Sequence, residues 1–151
     1  MHTFADTQGR TWTVTINVDV IRRVRSILNI NLLEAIEGRL LERLITDPVL
    51  LCDILFVVIQ PEAIAKGISD EDFGRSLGGD VLDVATTALL EELVDFFPSA
   101  KRTVFRKALT KLKQLETLAI ETATQRLESG ELEERMKSAI SGTRVESTSG
   151  N

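Results

Sequence analysis

Thr11-Trp12-Thr13-Val14-Thr15-Ile16-Asn17-Val18 is the stretch on which the fold turns. Its residues alternate strictly, with Trp12, Val14, Ile16 and Val18 on one side and Thr11, Thr13, Thr15 and Asn17 on the other, the period of a half-buried strand. Almost everything after Asp19 repeats instead at three and four residues. The chain therefore reads as mainly α: a small N-terminal β-hairpin over 1–18, a bundle of about six helices over 19–129 ending in a long helix, and a weak helix with a disordered tail over 130–151.

Just upstream, Thr3-Phe4-Ala5 is placed to pair with Arg10 to Asn17 across the turn Asp6-Thr7-Gln8-Gly9. Asp at the first turn position accepts backbone amides, and Gly at the last tolerates positive φ. A two-stranded hairpin is marginal in water by itself, so the Trp12-Val14-Ile16 face must rest on something. Packing on the protein's own helices is one reading; an edge open to a partner strand is the other.

Downstream, Val20, Ile21, Val24, Ile27 and Leu28 line one face of a short helix. Asn31 with Glu34 has capping-box spacing and opens a second helix whose stripe is Leu33, Ile36, Leu40, Leu41, Leu44 and Ile45, with Gly38 permitting close helix approach. Asp47-Pro48 starts a nearly all-apolar helix over Val49 to Ile59, which predicts a buried central element. Pro61 and Gly67 bracket a further turn or two, and Ser69 with Asp70, Glu71 and Asp72 begins a short helix anchored by Phe73 and Leu77. From Asp80 the stripe Leu82, Ala85, Leu89, Leu93 and Phe96 runs to Pro98. Ser99 then caps the longest helix, whose seam of Val104, Ala108, Leu112, Leu115 and Ala119, flanked by Leu109 and Leu118, continues toward Leu127 and past the core. Beyond Gly130, Leu132, Met136 and Ile140 give a weak apolar face, and the Ser/Thr/Gly-rich end carries no apolar period.

Composition narrows the function. With 43% apolar residues in 151, one domain can bury a core without metals or disulfides, and the single Cys52 sits among Leu50, Leu51, Ile54 and Leu55 as a small buried hydrophobe. No signal peptide opens the sequence, and Val49 to Ile59 is shorter than the roughly 20 residues of a bilayer span, so a cytosolic protein without membrane contact is expected. A net charge of −5 argues against sequence-independent attraction to nucleic acid. The charge is nevertheless uneven: Lys101, Arg102, Arg106, Lys107, Lys111 and Lys113 form a basic run, preceded by acidic Glu91, Glu92 and Asp95. Pairing between adjacent helices is the ordinary explanation, and a phosphate groove the rarer one.

Catalytic chemistry is hard to place. The one histidine is His2, there is no Tyr, and no nucleophile elbow, P-loop or zinc-protease motif occurs. Asp70 and Asp72 resemble the start of a calcium loop, but Gly74 falls a place early and Val81 stands where a bidentate Glu is needed. No enzyme activity, cofactor or metal is expected. Binding through surfaces remains.

Phe4-Ala5-Asp6-Thr7-Gln8-Gly9-Arg10-Thr11-Trp12 with its switch to helix, together with Ile68-Ser69-Asp70-Glu71-Asp72-Phe73-Gly74-Arg75 and Glu91-Glu92-Leu93-Val94-Asp95-Phe96-Phe97-Pro98, resembles the small tail assembly chaperones of long-tailed bacteriophages and related prophages. The likeness covers roughly Thr3 to Leu127. It implies a mostly helical, non-enzymatic, self-associating protein of the bacterial host cytoplasm that binds the tape-measure protein, keeps its apolar helices from aggregating, helps recruit tail-tube subunits and is absent from the finished virion. It supplies no site residue. From the residues themselves, Trp12, Val14 and Ile16 are expected as an exposed or half-exposed patch, Phe97, Phe105 and Leu112 as a groove, and Arg102, Arg106 and Lys107 as contacts to acidic segments of a partner or a second copy. A small nucleic-acid-binding regulator using Lys101 to Lys113, and a structural connector of the virion, are the rival readings.

Overall fold

The computed structural model describes residues 1–37 and 39–149, with side chains through Ser141. By backbone contacts the chain divides into two units, Met1–Leu109 and Thr110–Asn151. In the first unit, strands β1 (His2–Ala5) and β2 (Thr11–Val14) form an antiparallel hairpin with Phe4 opposite Trp12 and His2 opposite Val14. Helices follow: α1 (Val18–Leu28), a 3-10 segment (Leu32–Glu37), α2 (Arg39–Thr46), α3 (Pro48–Lys66), α4 (Asp70–Arg75), α5 (Asp80–Phe96) and α6 (Ser99–Glu128), the last continuing into the second unit. There the remainder of α6 is followed by α7 (Glu131–Ser149). The expected disordered tail falls on residues 142–151, whose side chains lie outside the described residues, as does the close approach expected at Gly38.

Unlike an exposed patch, the hairpin face is core. Trp12 and Val14 are fully buried and Ile16 is buried, because β1 packs on α5 and β2 on α3. Trp12 meets Phe73 edge-on at 5.4 Å, and Phe4 and Phe56 close on the same Phe73 ring at 6.5 and 5.8 Å. Lys66 lies over the indole at 4.5 Å, while its Nζ donates to the Thr11 carbonyl at 2.7 Å. The turn is held by one carboxylate: Asp6 accepts the amides of Gln8 and Arg10, Nε of Arg10 at 2.8 Å and the indole N–H of Trp12 at 2.8 Å. Burial pushes the Asp6 pKa up, and the bonds from Arg10, Trp12 and Gln8 outweigh it, holding the group at about 2.

α3 is the central helix. Asp47 caps it by accepting Val49 and Leu50 amides, Pro48 occupies its first turn, and Gly67 ends it at φ 67°. It spans 19 residues and runs through Pro61, where the sequence suggested a break, so the helix is longer than the apolar run alone. Among the described residues α3 is long and apolar enough, by length and composition only, to cross a bilayer; its Leu51, Ile54, Leu55 and Ile59 are core against α1, α2, α4 and the hairpin. Cys52 beside them is half-buried, and burial, then Asp53 and Asp70, raise its thiol pKa away from a reactive thiolate.

The second helix read from Asn31 is two pieces. Asn31 does cap, its side chain accepting the Leu33 amide at 3.1 Å, but it opens the 3-10 segment, and α2 begins only after that segment ends. Leu32 and Ala35 are buried there, whereas Leu33 is exposed, the shift that a three-residue turn imposes on an α-helical wheel.

Candidate protein-binding seam

Of the residues expected to form a groove on the last helices, two are core. Phe97 and Phe105 stack on one another at 5.7 Å and are buried. They fasten the start of α6 to the end of α5 and face no partner. Leu109 is the last buried residue of α6, and Leu112 is half-buried.

The basic side chains divide in the same way. Arg106 reaches Glu91 at 3.5 Å and Asp95 at 3.6 Å, so it ties α6 to α5 within the chain. Arg102 donates to the carbonyls of Phe97 at 3.2 Å and Asp95 at 3.5 Å, capping the C-terminal end of α5, and its buried Nε has no partner among the described residues. Neither is a free contact for an acidic partner. Lys107 is exposed and, with Lys101, Lys111 and Lys113, carries no ion pair among the described residues.

The seam expected from Val104 and Ala108 is shifted, since Val104 is exposed and Ala108 half-buried while Phe105 and Leu109 enter the core, and its continuation is open. The i, i+3 and i+4 row that begins with Phe105 and Leu109 in the core runs on as Leu112, Leu115, Ala119, Ala123 and Leu127. From Lys113 to Glu128 every residue is exposed, including Leu115, Ile120 and Leu127 at 58, 61 and 58%. α7 repeats the arrangement with Leu132, Met136 and Ile140 at four-residue steps, all exposed. Scattered exposed leucines need no explanation, whereas a row at helical spacing on consecutive helices makes this the candidate contact surface. Lys111 and Lys113 stand at its beginning, and its later part carries both signs, with Glu116, Glu121, Glu128, Glu131, Glu133 and Glu134 against Arg126, Arg135 and Lys137. The period past Leu112 was readable from the sequence; where the core stops, which decides which leucines are free, was not.

One set of side chains among the described residues has metal-ligand chemistry: His2, Glu92 and Asp95, whose ligand atoms all lie within 4.8 Å. These groups are already engaged. Glu92, buried on α5, accepts the α-ammonium of Met1, Nδ1 of His2 at 2.7 Å and the Ile16 amide at 3.4 Å, and Asp95 faces Arg106. Burial pushes the Glu92 pKa up, and the bonds from the α-ammonium and His2 outweigh it, so the carboxylate is held low. The cluster is thus an ionic clasp of β1 on α5. Comparison with protein-family models, with curated proteins and with solved structures returns no match.

Proposed function

We propose that this protein is a non-enzymatic tail assembly chaperone of the kind made by long-tailed bacteriophages, and that it acts by covering apolar helices of the tape-measure protein while helping to recruit tail-tube subunits. The observation that carries the reading is the exposed row Leu115, Ala119, Ala123 and Leu127 on α6, continued by Leu132, Met136 and Ile140 on α7. Such a row matches the i, i+3, i+4 anchors by which one amphipathic helix is laid against another. A chaperone of this kind works in the host cytoplasm, self-associates, and leaves before the virion is complete. Burying apolar side chains of such a row removes surface from water at about 25 cal/mol per Å², the driving force for covering a client helix.

Co-expression with the tape-measure protein tests the proposal. The wild-type chain is expected to keep it soluble and to be recovered with it, and Leu115→Gln with Leu127→Gln to lose it while folding normally. Equal recovery with the doubly substituted chain would reject the seam as the contact. Binding to mixed-sequence DNA that collapses with modest salt would instead favour a regulator acting through Lys107, Lys111 and Lys113.

A further inference from the structure

The end of α1, the 3-10 segment and the start of α2 enclose a half-open cleft of about 490 Å³ lined by Arg25, Asn29, Ile30, Asn31, Glu34, Arg39, Leu40 and Arg43. Three arginines line it, all exposed, and among the described residues none of them has a side-chain hydrogen bond or an ion pair. Elsewhere in the first unit Arg10 is engaged on Asp6, Arg23 on two α3 carbonyls, Arg75 on Asp72 and Arg106 on Glu91 and Asp95, while Arg22 alone on the outer side of α1 is likewise without a partner among the described residues. Glu34 stands in the same wall and forms no ion pair with any of the three.

Local electrostatics make this arrangement unfavourable as it stands. Arg39 sits in the first turn of α2, where the helix dipole favours an anion, and Arg43 stands at i+4 from it as a like charge. An oxyanion between them would offset both terms. Guanidinium forks match the oxygens of a phosphate or carboxylate two at a time. Leu40 is buried beneath and Ile30 half-buried beside it, which lowers the dielectric on one side of the charges. With a net charge of −5 the whole molecule does not draw anions from a distance, so any preference resides in the cleft.

We propose that this cleft is a binding site for a compact oxyanion, a phosphate or carboxylate group, held by Arg25, Arg39 and Arg43. It is independent of the seam on α6 and of the chaperone reading.

The test is titration of the full chain at constant ionic strength with inorganic phosphate in one arm and citrate in the other, monitored by amide chemical shifts. Saturable shifts are expected at residues 25–43, and the arm that saturates at lower concentration identifies the group. Arg39→Gln with Arg43→Gln should weaken binding roughly tenfold or more, the size of a lost charge-assisted contact. Arg22→Gln, an exposed arginine of α1 outside the cleft, should leave it unchanged. Glu34→Gln removes the one negative wall charge and should tighten binding severalfold, a gain that misfolding cannot mimic. Absence of saturation in both arms, or the same loss for Arg22→Gln, overturns the proposal.

Discussion

At Pro61 the backbone of α3 lacks the amide that would satisfy the carbonyl of Val57, and a proline ring inside a helix ordinarily kinks or ends it. Arg23 of α1 supplies the missing donor, its Nε to the Val57 carbonyl, and its terminal nitrogen adds a bond to the Val58 carbonyl, both at 2.9 Å. Arg23→Ala is expected to cost about 1–3 kcal/mol, the usual penalty of a part-buried carbonyl left unpaired. In a Pro61→Ala background the restored amide should remove most of that cost, and a double-mutant cycle by urea denaturation reads the coupling directly. Additive losses would mean that Arg23 contributes only packing. Pro61 was legible in the sequence as a helix boundary and not as a helix interior, because its compensation comes from a residue far away in the chain. Asp6 is the opposite case: its place at the first position of the turn was readable, and only the indole of Trp12 and the side chain of Arg10 were added by the fold. Its pKa of about 2 lies below the ordinary 3.8, so the stability it contributes is complete above the ordinary value and is lost as pH falls toward 2. Roughly 2 kcal/mol corresponds to that difference. Asp6→Asn should flatten the acid limb of a stability-versus-pH profile by about that amount, and an unchanged limb would contradict the assignment.

Among the elements, the hairpin and α6 show how the same pattern leads to opposite fates. The alternation of Trp12, Val14 and Ile16 specifies one apolar face, and either a helix layer or a partner would satisfy it. α3, α5 and Phe73 of α4 supply that layer, so Trp12→Ala should destabilise the protein by about 3–5 kcal/mol, as expected for emptying a core aromatic site, and not merely weaken a contact. In α6 the helical period is unbroken from Phe105 to Leu127, yet burial ends at Leu109 apart from half-buried Leu112. Periodicity gives the face of a helix; it does not say how far along its length the rest of the molecule reaches. Leu115→Gln and Leu127→Gln should each change stability by no more than about 0.5 kcal/mol, because both positions are exposed and glutamine is a good helix former. A larger loss, measured by thermal unfolding monitored by circular dichroism, would mean that these leucines are already covered. Arg25, Arg39 and Arg43 were visible as residues, but they line one cleft only through the chain between them, where Asn29 ends α1 at φ 55° and the 3-10 segment precedes α2. No single-element pattern announces such a cleft.

For the molecule as a whole, the division at Leu109 and Thr110 separates a unit with a core from one whose described side chains are exposed or half-exposed. Helical stability in water comes chiefly from packing an amphipathic face, and a lone exposed helix of such length is marginal. The second unit therefore has helical bonds without a core to protect them. Native-state hydrogen exchange should resolve the difference: amides of Leu51 to Ile59 in α3 exchange only through global unfolding, whereas those from Lys113 to Glu128 exchange through local opening several kcal/mol lower in free energy. Covering the seam must raise protection at 113–128, where local opening would release the bound partner, and by the same linkage it raises the global limit read at α3. On the proposed function, addition of a tape-measure segment is expected to do this at fixed concentration of the protein. Self-association predicts the same gain with rising concentration of the protein alone, so a dilution series distinguishes a client from a second copy. Protection at 113–128 that is already high in dilute protein and insensitive to either addition would mean that the apolar row is no docking surface, and the chaperone reading would lose the observation on which it rests.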